Sequence, residues 1–277
     1  MIRQRIRRFL IAQQPLTLER EVYQLRAEVD FLGDQLDRLK SSLEVPATLF
    51  DEFRDWRRRT PIPKEPLISV CVATHNRPRL LIERSIPSIL SQTYSNLELI
   101  VVGDGCSDKT TELLAKIGDP RLKFINLPER GRYPDESMRQ WMVAGTQAMN
   151  HAMSLARGDY VTHLDDDDEY LPERLEKLLT FAIKNQCDVI WHPFWIEEPE
   201  GGWRLIEAPA FRIRQVTTGS VLYRSWFTRI EWNVEAHRLW EPGDWNRFRR
   251  IMYLGPTSMR YHEPLLRHYR EHVPEQQ

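Results

Sequence analysis

The sequence predicts an α/β fold: a mainly parallel sheet flanked by helices and preceded by an N-terminal coiled-coil helix. Three observations support this fold class. Apolar runs alternate with amphipathic stretches between residues 67 and 192, which is the order of strands and helices in a parallel sheet. Residues 18–43 instead carry an unbroken heptad pattern. Residues 46–66, rich in proline and arginine, separate the two patterns.

The heptad segment spaces its apolar residues alternately by four and three positions. These residues are Leu18, Val22, Leu25, Val29, Leu32, Leu36, Leu39 and Leu43. Valines at a positions with leucines at d favour a parallel dimer. The alternative is an amphipathic helix that folds back onto its own globular domain. We favour a homodimer through residues 18–43, because the stripe is narrow and its flanks are charged.

The N-terminus in front of the heptads is basic, with four arginines in the first ten residues. It could lie on an anionic membrane surface, or it could be a solvated terminus. Gln13 and Gln14 cut its apolar part too short for a signal peptide. No run in the sequence approaches the roughly 20 apolar residues that span a bilayer. We therefore expect a cytoplasmic protein, with peripheral contact at the inner face of the membrane as an open possibility.

Composition and charge argue against several classes of protein. The 277 residues carry a net charge of −1, which leaves no basic footprint for nucleic-acid binding. The three cysteines, Cys71, Cys106 and Cys187, form no CxxC motif and no Cys/His cluster. A disulfide framework or structural zinc site is therefore not expected, and a reducing cytoplasm fits.

The elements of the α/β part follow one another along the chain. The apolar runs predict strands at residues 67–73, 97–102, 122–127, 160–164 and 189–192. The stretches between them predict helices at residues 78–92, 107–116, 136–156 and 172–184. The chain thus divides into residues 1–45, the basic N-terminus and coiled-coil helix; residues 46–66, a linker whose prolines discourage regular structure; and residues 67–277, the α/β domain.

Polar clusters follow three of the predicted strands directly. THNR at residues 74–77 follows the first strand, and GDGCSD at residues 103–108 follows the second. Four consecutive aspartates, residues 165–168, follow the strand at residues 160–164. Because parallel sheets bind ligands at the carboxyl ends of their strands, we expect all three clusters to open onto one edge.

The four aspartates are the strongest chemical signal in the chain. Consecutive carboxylates repel one another, and a divalent cation such as Mg²⁺ or Mn²⁺ resolves that repulsion through oxygen ligands. The alternative is an acidic cap for the following helix, for which one or two acids would suffice. We therefore expect a metal site that draws on residues 165–168.

Asp104 stands between two glycines, Gly103 and Gly105. Glycine on both sides permits close backbone approach, so the carboxylate could accept a hydrogen bond from the N–H of a nucleotide base. The alternative is an ordinary turn between a strand and a helix, with Asp as turn former.

Three stretches of the chain together resemble the inverting glycosyltransferases of family 2, which have the GT-A fold. They read ISVCVATHNRP at residues 68–78, SILSQTYSNLELIVVGDGCSDKT at residues 88–110 and ARGDYVTHLDDDDEYLPERL at residues 156–175. The family patterns that they match are PTYNR, EIIVVDDGSTD and A-x-G-E-Y-I-x-x-L-D-x-D-D. The resemblance implies a GT-A domain over residues 67–277.

The resemblance also implies contacts with a nucleotide. Thr74, Asn76 and Arg77 lie in the loop that touches the nucleotide in the family, and Asp104 matches the acid that binds the base. Gly103 stands where the family has a first aspartate.

The DxD motif of the family falls on residues 165–167. Asp167 is implied as the direct ligand of Mn²⁺ or Mg²⁺. Asp165 is implied as a metal ligand near the ribose or diphosphate, and Asp166 as a neighbour of the nucleotide. The C-terminal stretch PLLRHYREH resembles a further family pattern. His262, His268 and His272 could contact the diphosphate or the metal, or serve a structural role.

Asp244, within WEPGDWNRFRRI at residues 240–251, matches the catalytic base of the family. Such a base takes the proton from the acceptor hydroxyl as it attacks the anomeric carbon. Glu241 is the second candidate for this role. From the residues alone, Asp244 could equally be a helix N-cap.

The predicted function is therefore that of a glycosyltransferase of the hexosyltransferase type, EC 2.4. The resemblance implies transfer with inversion from a nucleotide sugar, with a UDP-sugar favoured, to a growing glycan or lipid-linked acceptor in polysaccharide synthesis. The alternative is a non-catalytic GT-A-like binding or scaffold module that assembles through its coiled coil. Intact acids at Asp104, Asp165, Asp167 and Asp244 favour the enzyme.

Overall fold

The structure, a computed structural model, describes the backbone of residues 2–270 and the side chains of residues 18–270. The predicted basic face within residues 1–17 and His272 lie outside the described side chains. The chain divides into two compact units, Met1–Ala47 and Thr48–Gln277. Within the part that the structure describes, no helix is both long and apolar enough to cross a membrane.

The first unit is one long helix, α1 (Ile2–Glu44), which confirms the predicted N-terminal helix. Its heptad residues from Leu18 to Leu43 are exposed in the single chain. A continuous apolar stripe in water is unusual for a monomer and typical of an interaction surface. Dimerisation through this stripe stays a prediction.

Residues 46–66 are predicted to lack regular structure, and here the structure differs. Helix α2 (Thr48–Arg59) lies within them and ends just before Pro61 and Pro63. Asp51 in its first turn and three arginines in its last turn match the helix dipole. The prolines therefore bound a helix on both sides.

Helix α2 packs into the core of the second unit through Phe53. The ring centroid of Phe53 lies 4.8 Å from that of Phe227 and 5.1 Å from that of Trp226. Arg57 also pairs with the buried Asp188, with 3.1 Å between Nε and Oδ2. The helix is thus a structural part of the unit that carries the sheet.

We expect Phe53→Ala to lower the free energy of unfolding by about 3–5 kcal/mol, because it removes a large ring from a packed core. Phe53 is 4% exposed, whereas Phe31 on α1 is 61% exposed. Phe31→Ala is therefore the matched control, with an expected change within about 0.5 kcal/mol. Urea denaturation of both variants measures the difference. Equal, small effects would contradict a core role for α2.

The strands of the second unit follow in chain order. They are β1 (Ile68–Thr74), β2 (Leu97–Gly103), β3 (Leu122–Asn126), β4 (Tyr160–His163), β5 (Glu169–Tyr170), β6 (Val189–Trp191), β7 (Phe194–Glu197), β8 (Trp203–Ile206), β9 (Val221–Arg224), β10 (Ser258–Arg260) and β11 (Leu266–His268). The main sheet has the order β10-β6-β9-β4-β1-β2-β3, and a smaller sheet has the order β5-β11-β7-β8. Strands β1 to β4 run parallel, and β9 is antiparallel to β4 and β6. This confirms the predicted fold class.

Helices lie between these strands. They are α3 (Pro78–Leu80), a π-helical turn (Leu81–Ser85), α4 (Ile86–Leu90), α5 (Thr110–Leu114), α6 (Ser137–Val143), α7 (Thr146–Leu155), α8 (Arg174–Asn185), α9 (Gly243–Tyr253) and three 3₁₀ helices, Thr218–Ser220, Ser225–Arg229 and Val234–Leu239. Strands β1 and β2 are buried almost throughout, as expected for parallel strands covered on both faces.

One predicted helix is divided in two. The helix expected over residues 136–156 breaks between α6 and α7, where Gly145 adopts a φ of 77°. Only glycine reaches this left-handed conformation without a steric cost, so the chain turns there. As a result α6 leaves the line of α7 and packs against the 3₁₀ helix Val234–Leu239.

Candidate active site

A cavity of about 1170 Å³ opens where β1, β2 and β4 end. It brings together most of the sequence-predicted site residues, which come from all three polar clusters, from α9 and from β11. The predicted residues that line it are Thr74, Arg77, Asp104, Asp165, Asp166, Asp167, Asp244 and His268. Asn76 does not line this cavity.

The loop after β1 holds two of the aspartates. Thr74 Oγ1 donates to Asp166 Oδ2 at 2.7 Å, and Arg77 Nη1 lies 3.2 Å from Asp167 Oδ2 and 3.5 Å from Asp166 Oδ1. Asn76 does not hydrogen-bond to these two aspartates. Its Oδ1 accepts a hydrogen bond from the backbone N–H of Ser107 at 3.0 Å. Asn76 thereby ties the loop after β1 to the loop after β2.

The π-helical turn fixes the backbone of the aspartate loop from the other side. Ser85, its last residue, donates through Oγ to the carbonyl oxygens of Asp168 at 3.0 Å and Asp165 at 3.2 Å. Such turns are rare and frequently occur at functional sites. The aspartate loop is therefore held rigidly even though its side chains repel one another.

Asp104 already has partners for both of its carboxylate oxygens. Oδ1 accepts from the backbone N–H of Gly131 at 2.9 Å, and Oδ2 accepts from the hydroxyl of Tyr133 at 2.8 Å. Burial and the Asp104 carboxylate raise the pKa of Tyr133, so Tyr133 stays a donor. Asp104 thus anchors the segment around residues 129–133 beside the cavity. No local sequence pattern predicts these two hydrogen bonds.

Three possible metal ligands converge from the loop after β4 and from β11. One ligand atom each from Asp165, Asp168 and His268 lies within 4.8 Å of the others. His268 Nδ1 lies 2.7 Å from Asp168 Oδ2, and the backbone N–H of Tyr269 donates to Asp168 Oδ1 at 2.9 Å. The resemblance implied Asp165 with Asp167; in this geometry Asp165 meets Asp168 and His268, and Asp167 faces Arg77.

The electrostatics of this group suit a cation. Burial raises the pKa of Asp165 well above its ordinary value, and the charges of Asp168 and Asp167 add to the shift. Burial likewise raises the pKa of Asp167 to about 7. Burial lowers the pKa of His268, but the Asp168 carboxylate outweighs it and the result is a pKa of about 9. Excess negative charge with oxygen and imidazole donors is what Mn²⁺ or Mg²⁺ neutralises, so the residues fit a divalent metal.

We expect the metal-free protein to gain stability as the pH falls from about 9 to about 7. The folded pKa of His268, about 9, exceeds its ordinary 6.5, so its contribution is complete below about 6.5 and is lost as the pH rises through 9. Asp167, with a pKa of about 7 against 3.8, destabilises the fold when charged and is relieved as it binds a proton. Both signs agree.

Melting temperatures in EDTA at pH 9, 8 and 7 measure this trend. Saturating Mn²⁺ should flatten it, because metal ligands bind in their deprotonated form. Asp167→Asn should reduce the gain between pH 8 and 7. A melting temperature that rises with pH over this range would contradict the electrostatic account.

Asp244 lies in the first turn of α9, and the N-cap is Pro242. The N-cap alternative for Asp244 is therefore wrong. Burial raises the pKa of Asp244 to about 6, against the lowering effect of the Trp245 backbone N–H. Glu241, the second candidate base, accepts from Asn246 and Arg249 and does not line the cavity.

Asn150 on α7 holds the backbone of Trp232, whose ring lies against the start of α9. Its side chain accepts from the backbone N–H of Trp232 at 2.8 Å and donates to the carbonyl of Trp232 at 2.9 Å. A Cβ at Gly243 would lie 3.4 Å from Cε3 of Trp232 and 3.2 Å from the carbonyl oxygen of Met142. Gly243 therefore lets α9 begin directly against the Trp232 ring, one residue before Asp244.

A mainly parallel sheet with an acidic cavity at its carboxyl edge is the arrangement that the sequence resemblance implied for a GT-A domain. The family model "Glycosyl transferase family 2" matches residues 69–135 and 138–250, which is more than half of the chain. The chain therefore belongs to glycosyl transferase family 2.

Relatives and solved structures agree with this assignment. The putative colanic acid biosynthesis glycosyl transferase WcaA of Escherichia coli K12 is 39% identical over 133 residues, which cover 47% of this chain and 41% of WcaA. The chain thus spans less than half the length of this relative.

Two solved structures share the fold. S. aureus TarS 1–349 in complex with UDP has a TM-score of 0.58 at 18% identity, covering 73% of this chain and 60% of its own. The mannosyltransferase PcManGT from Pyrobaculum calidifontis, in complex with GDP-Man and Mn²⁺, has a TM-score of 0.51 at 16% identity, covering 86% and 67%.

Proposed function

We propose that this protein transfers a sugar from a nucleotide sugar, with a UDP-sugar favoured, to a hydroxyl of a glycan or lipid-linked acceptor with inversion. One observation carries the proposal. Asp244, a carboxylate with a pKa of about 6, lines the same cavity as Asp165 and His268. The charge of Asp244 also contributes to the raised pKa of Asp165, so the two carboxylates lie in each other's field.

We propose that the nucleotide-sugar donor binds at the three polar clusters. Thr74, Arg77 and Asp166 form one hydrogen-bonded wall, on which the nucleotide would lie. Asp104 contributes from β2, and each of its oxygens retains a lone pair for a base N–H. Asn76 contributes by holding the two loops together. The nucleotides in the TarS and PcManGT structures, UDP and GDP-Man, support a donor of this class.

Asp165, Asp168 and His268 would hold Mn²⁺ or Mg²⁺, with Asp167 as the further ligand that the DxD motif implies. Such an ion supplies charge neutralisation at a diphosphate leaving group. The Mn²⁺ of PcManGT supports this metal. The contact of Asp168 with His268 Nδ1 orients the imidazole, and the Tyr269 backbone N–H holds the other oxygen of the Asp168 carboxylate.

Asp244 is proposed as the base. Its carboxylate takes the proton of the acceptor hydroxyl while the acceptor oxygen bonds to the anomeric carbon, and the bond from that carbon to the diphosphate breaks. One displacement inverts the configuration, and the nucleoside diphosphate leaves. A pKa of about 6 suits this task, because the group is charged at neutral pH and still basic enough to accept a proton.

The test is metal-dependent turnover of UDP-, GDP- and dTDP-sugars, with proton NMR of the product to read its anomeric configuration. We expect one donor to be used with Mn²⁺ and the product to have the opposite configuration. Retention would contradict the single displacement. No turnover, together with no metal-dependent nucleotide binding, would favour the scaffold alternative.

We also propose that residues 18–43 form a parallel homodimer. A charge in the exposed stripe should break it, because a buried charge at a core position is strongly disfavoured. Sedimentation of the full chain should therefore give a dimer that Leu32→Glu converts to a monomer. Phe31→Glu, an exposed site outside the heptad core, should leave the dimer intact. A monomeric wild-type protein would contradict the proposal.

A further inference from the structure

Two tryptophans stand exposed at the mouth of the cavity that holds Asp244. Trp141 on α6 is 57% exposed and Trp240 is 58% exposed, and both line this cavity. They come from α6 and from the end of the 3₁₀ helix Val234–Leu239, two elements that pack against each other. We call these two cavity-lining residues, Trp141 and Trp240, the tryptophan rim.

Trp240 ends the 3₁₀ helix Val234–Leu239. Its φ is 54°, in the left-handed region in which helices commonly terminate. Its N–H donates to the carbonyl of His237 at 3.2 Å, and the next residue, Glu241, is buried against Arg249. This conformation presents a large ring to solvent four residues before Asp244.

The orientation of the Trp240 ring is also fixed. The guanidinium of Arg139 on α6 lies 4.9 Å from the ring centroid, a cation–π distance that covers one face. Arg139 is itself paired with Glu136 at 3.5 Å. Because Arg139 covers one face of the Trp240 ring and much of the residue is exposed, the ring is already oriented to stack on a flat ligand.

The molecule that binds the rim must be apolar on one face and small enough for the cavity mouth. It must also belong to the molecule whose hydroxyl reacts inside the cavity. A pyranose ring meets these conditions, because its C–H groups form flat apolar faces while its hydroxyl groups stay in water. We propose that Trp141 and Trp240 bind a sugar ring of the acceptor glycan, beyond the ring whose hydroxyl faces Asp244. This inference rests on the proposed transferase function.

A consequence is that the enzyme distinguishes acceptors by length. An acceptor of one sugar fills only the site at Asp244, whereas a disaccharide or longer chain also reaches the tryptophan rim. Stacking of sugar rings on the rim would then raise affinity for longer acceptors without any change in the chemical step. A lipid surface is the rival occupant, since tryptophans also lie at membrane interfaces.

The experiment measures saccharide binding by the full-length protein with NMR titration, which needs no turnover. The probes are mono-, di- and trisaccharides of glucose, galactose, mannose and N-acetylglucosamine. We expect at least one oligosaccharide to bind better than its monosaccharide. Trp240→Ala and Trp141→Ala should each weaken that binding at least tenfold, and Trp240→Phe, which keeps a ring, should retain most of it.

Trp203→Ala is the matched control, because Trp203 is 38% exposed but does not line the cavity. It should leave binding unchanged. The proposal is overturned if no probe binds, if the two alanine variants bind as the wild type does, or if Trp203→Ala weakens binding as much as they do. It is also overturned if the wild type binds vesicles of anionic phospholipid and Trp141→Ala and Trp240→Ala abolish that binding instead.

Hydrolysis of the nucleotide-sugar donor by the same preparations separates this inference from the function on which it rests. Donor hydrolysis without saccharide binding would reject the tryptophan rim and leave the transferase standing. Saccharide binding through the two tryptophans, with no use of any donor, would leave the rim standing and reject the transferase.

Discussion

Asp244→Asn is expected to lower kcat/KM for sugar transfer by about a thousandfold and to leave donor binding unchanged. General-base catalysis contributes about 10²–10⁴ in rate, and the amide cannot accept the proton. The substitution keeps size and shape in the first turn of α9, so the fold should not change. The measurement is steady-state transfer alongside calorimetric titration of the donor nucleotide.

The pH profile gives a second readout of the same change. In the wild type with Mn²⁺ saturating at every pH, kcat/KM should rise about tenfold per pH unit up to about 6, the pKa to which burial raises the Asp244 carboxyl, and then level off. The residual activity of Asp244→Asn should lack this limb. Asp55→Asn, the same change at an exposed position of α2, is the control and should match the wild type. A wild-type rate that does not depend on pH between 5 and 7 would remove Asp244 from the role of base.

Asp165→Asn should have the second large effect, a loss of metal-dependent turnover of about a thousandfold. A metal ion supplies several kcal/mol of charge stabilisation at a leaving group, which corresponds to this factor. Mn²⁺ affinity, measured by electron paramagnetic resonance, should fall at least tenfold. In EDTA the variant should melt at a higher temperature than the wild type, because it removes one of several carboxylates that repel one another.

Variants of two neighbouring aspartates distinguish the two possible sets of metal ligands, the set that the geometry brings together and the set that the DxD motif implies. Asp168→Asn should weaken Mn²⁺ binding more than Asp167→Asn if the ligands are those that the geometry brings together. The opposite order would favour the DxD assignment from the sequence. Because Asp168 also binds the backbone N–H of Tyr269, its variant needs a check of the fold by circular dichroism. An Asp165→Asn variant with unchanged metal affinity would contradict both sets.

The sequence predicted the parts of this molecule that local patterns control. Apolar runs and their order gave β1, β2 and β4 and the edge at which they end, because a buried parallel strand needs apolar residues on both faces. The resemblance then supplied Asp244, which lines the same cavity. The sequence pattern does not predict helix α2, because prolines indicate a break in regular structure, whereas here they only bound the helix.

What escaped prediction depends on contacts between distant parts of the chain. Asp168 meets His268 across 100 residues, a pairing that goes beyond the possible metal contact that the resemblance implied for His268, and Tyr133 meets Asp104 across 29. Neither pair has a spacing that a local pattern could reveal. Trp141 was overlooked for a similar reason, since its exposure depends on the break at Gly145 that sends α6 towards the 3₁₀ helix. One signal was available in advance: Gly145 lies within a long helical pattern, where glycine is unfavourable.

The pairing of β11 with β5 and β7 also sets a time at which the protein can begin to act. During synthesis the donor-side strands β1 to β4 leave the ribosome long before residue 268 is made. Until His268 arrives, Asp165 and Asp168 stand together without their third partner. A nascent chain, or one cut short before β11, therefore carries an incomplete metal group, and the proposed transfer can begin only after residue 268 has joined the smaller sheet.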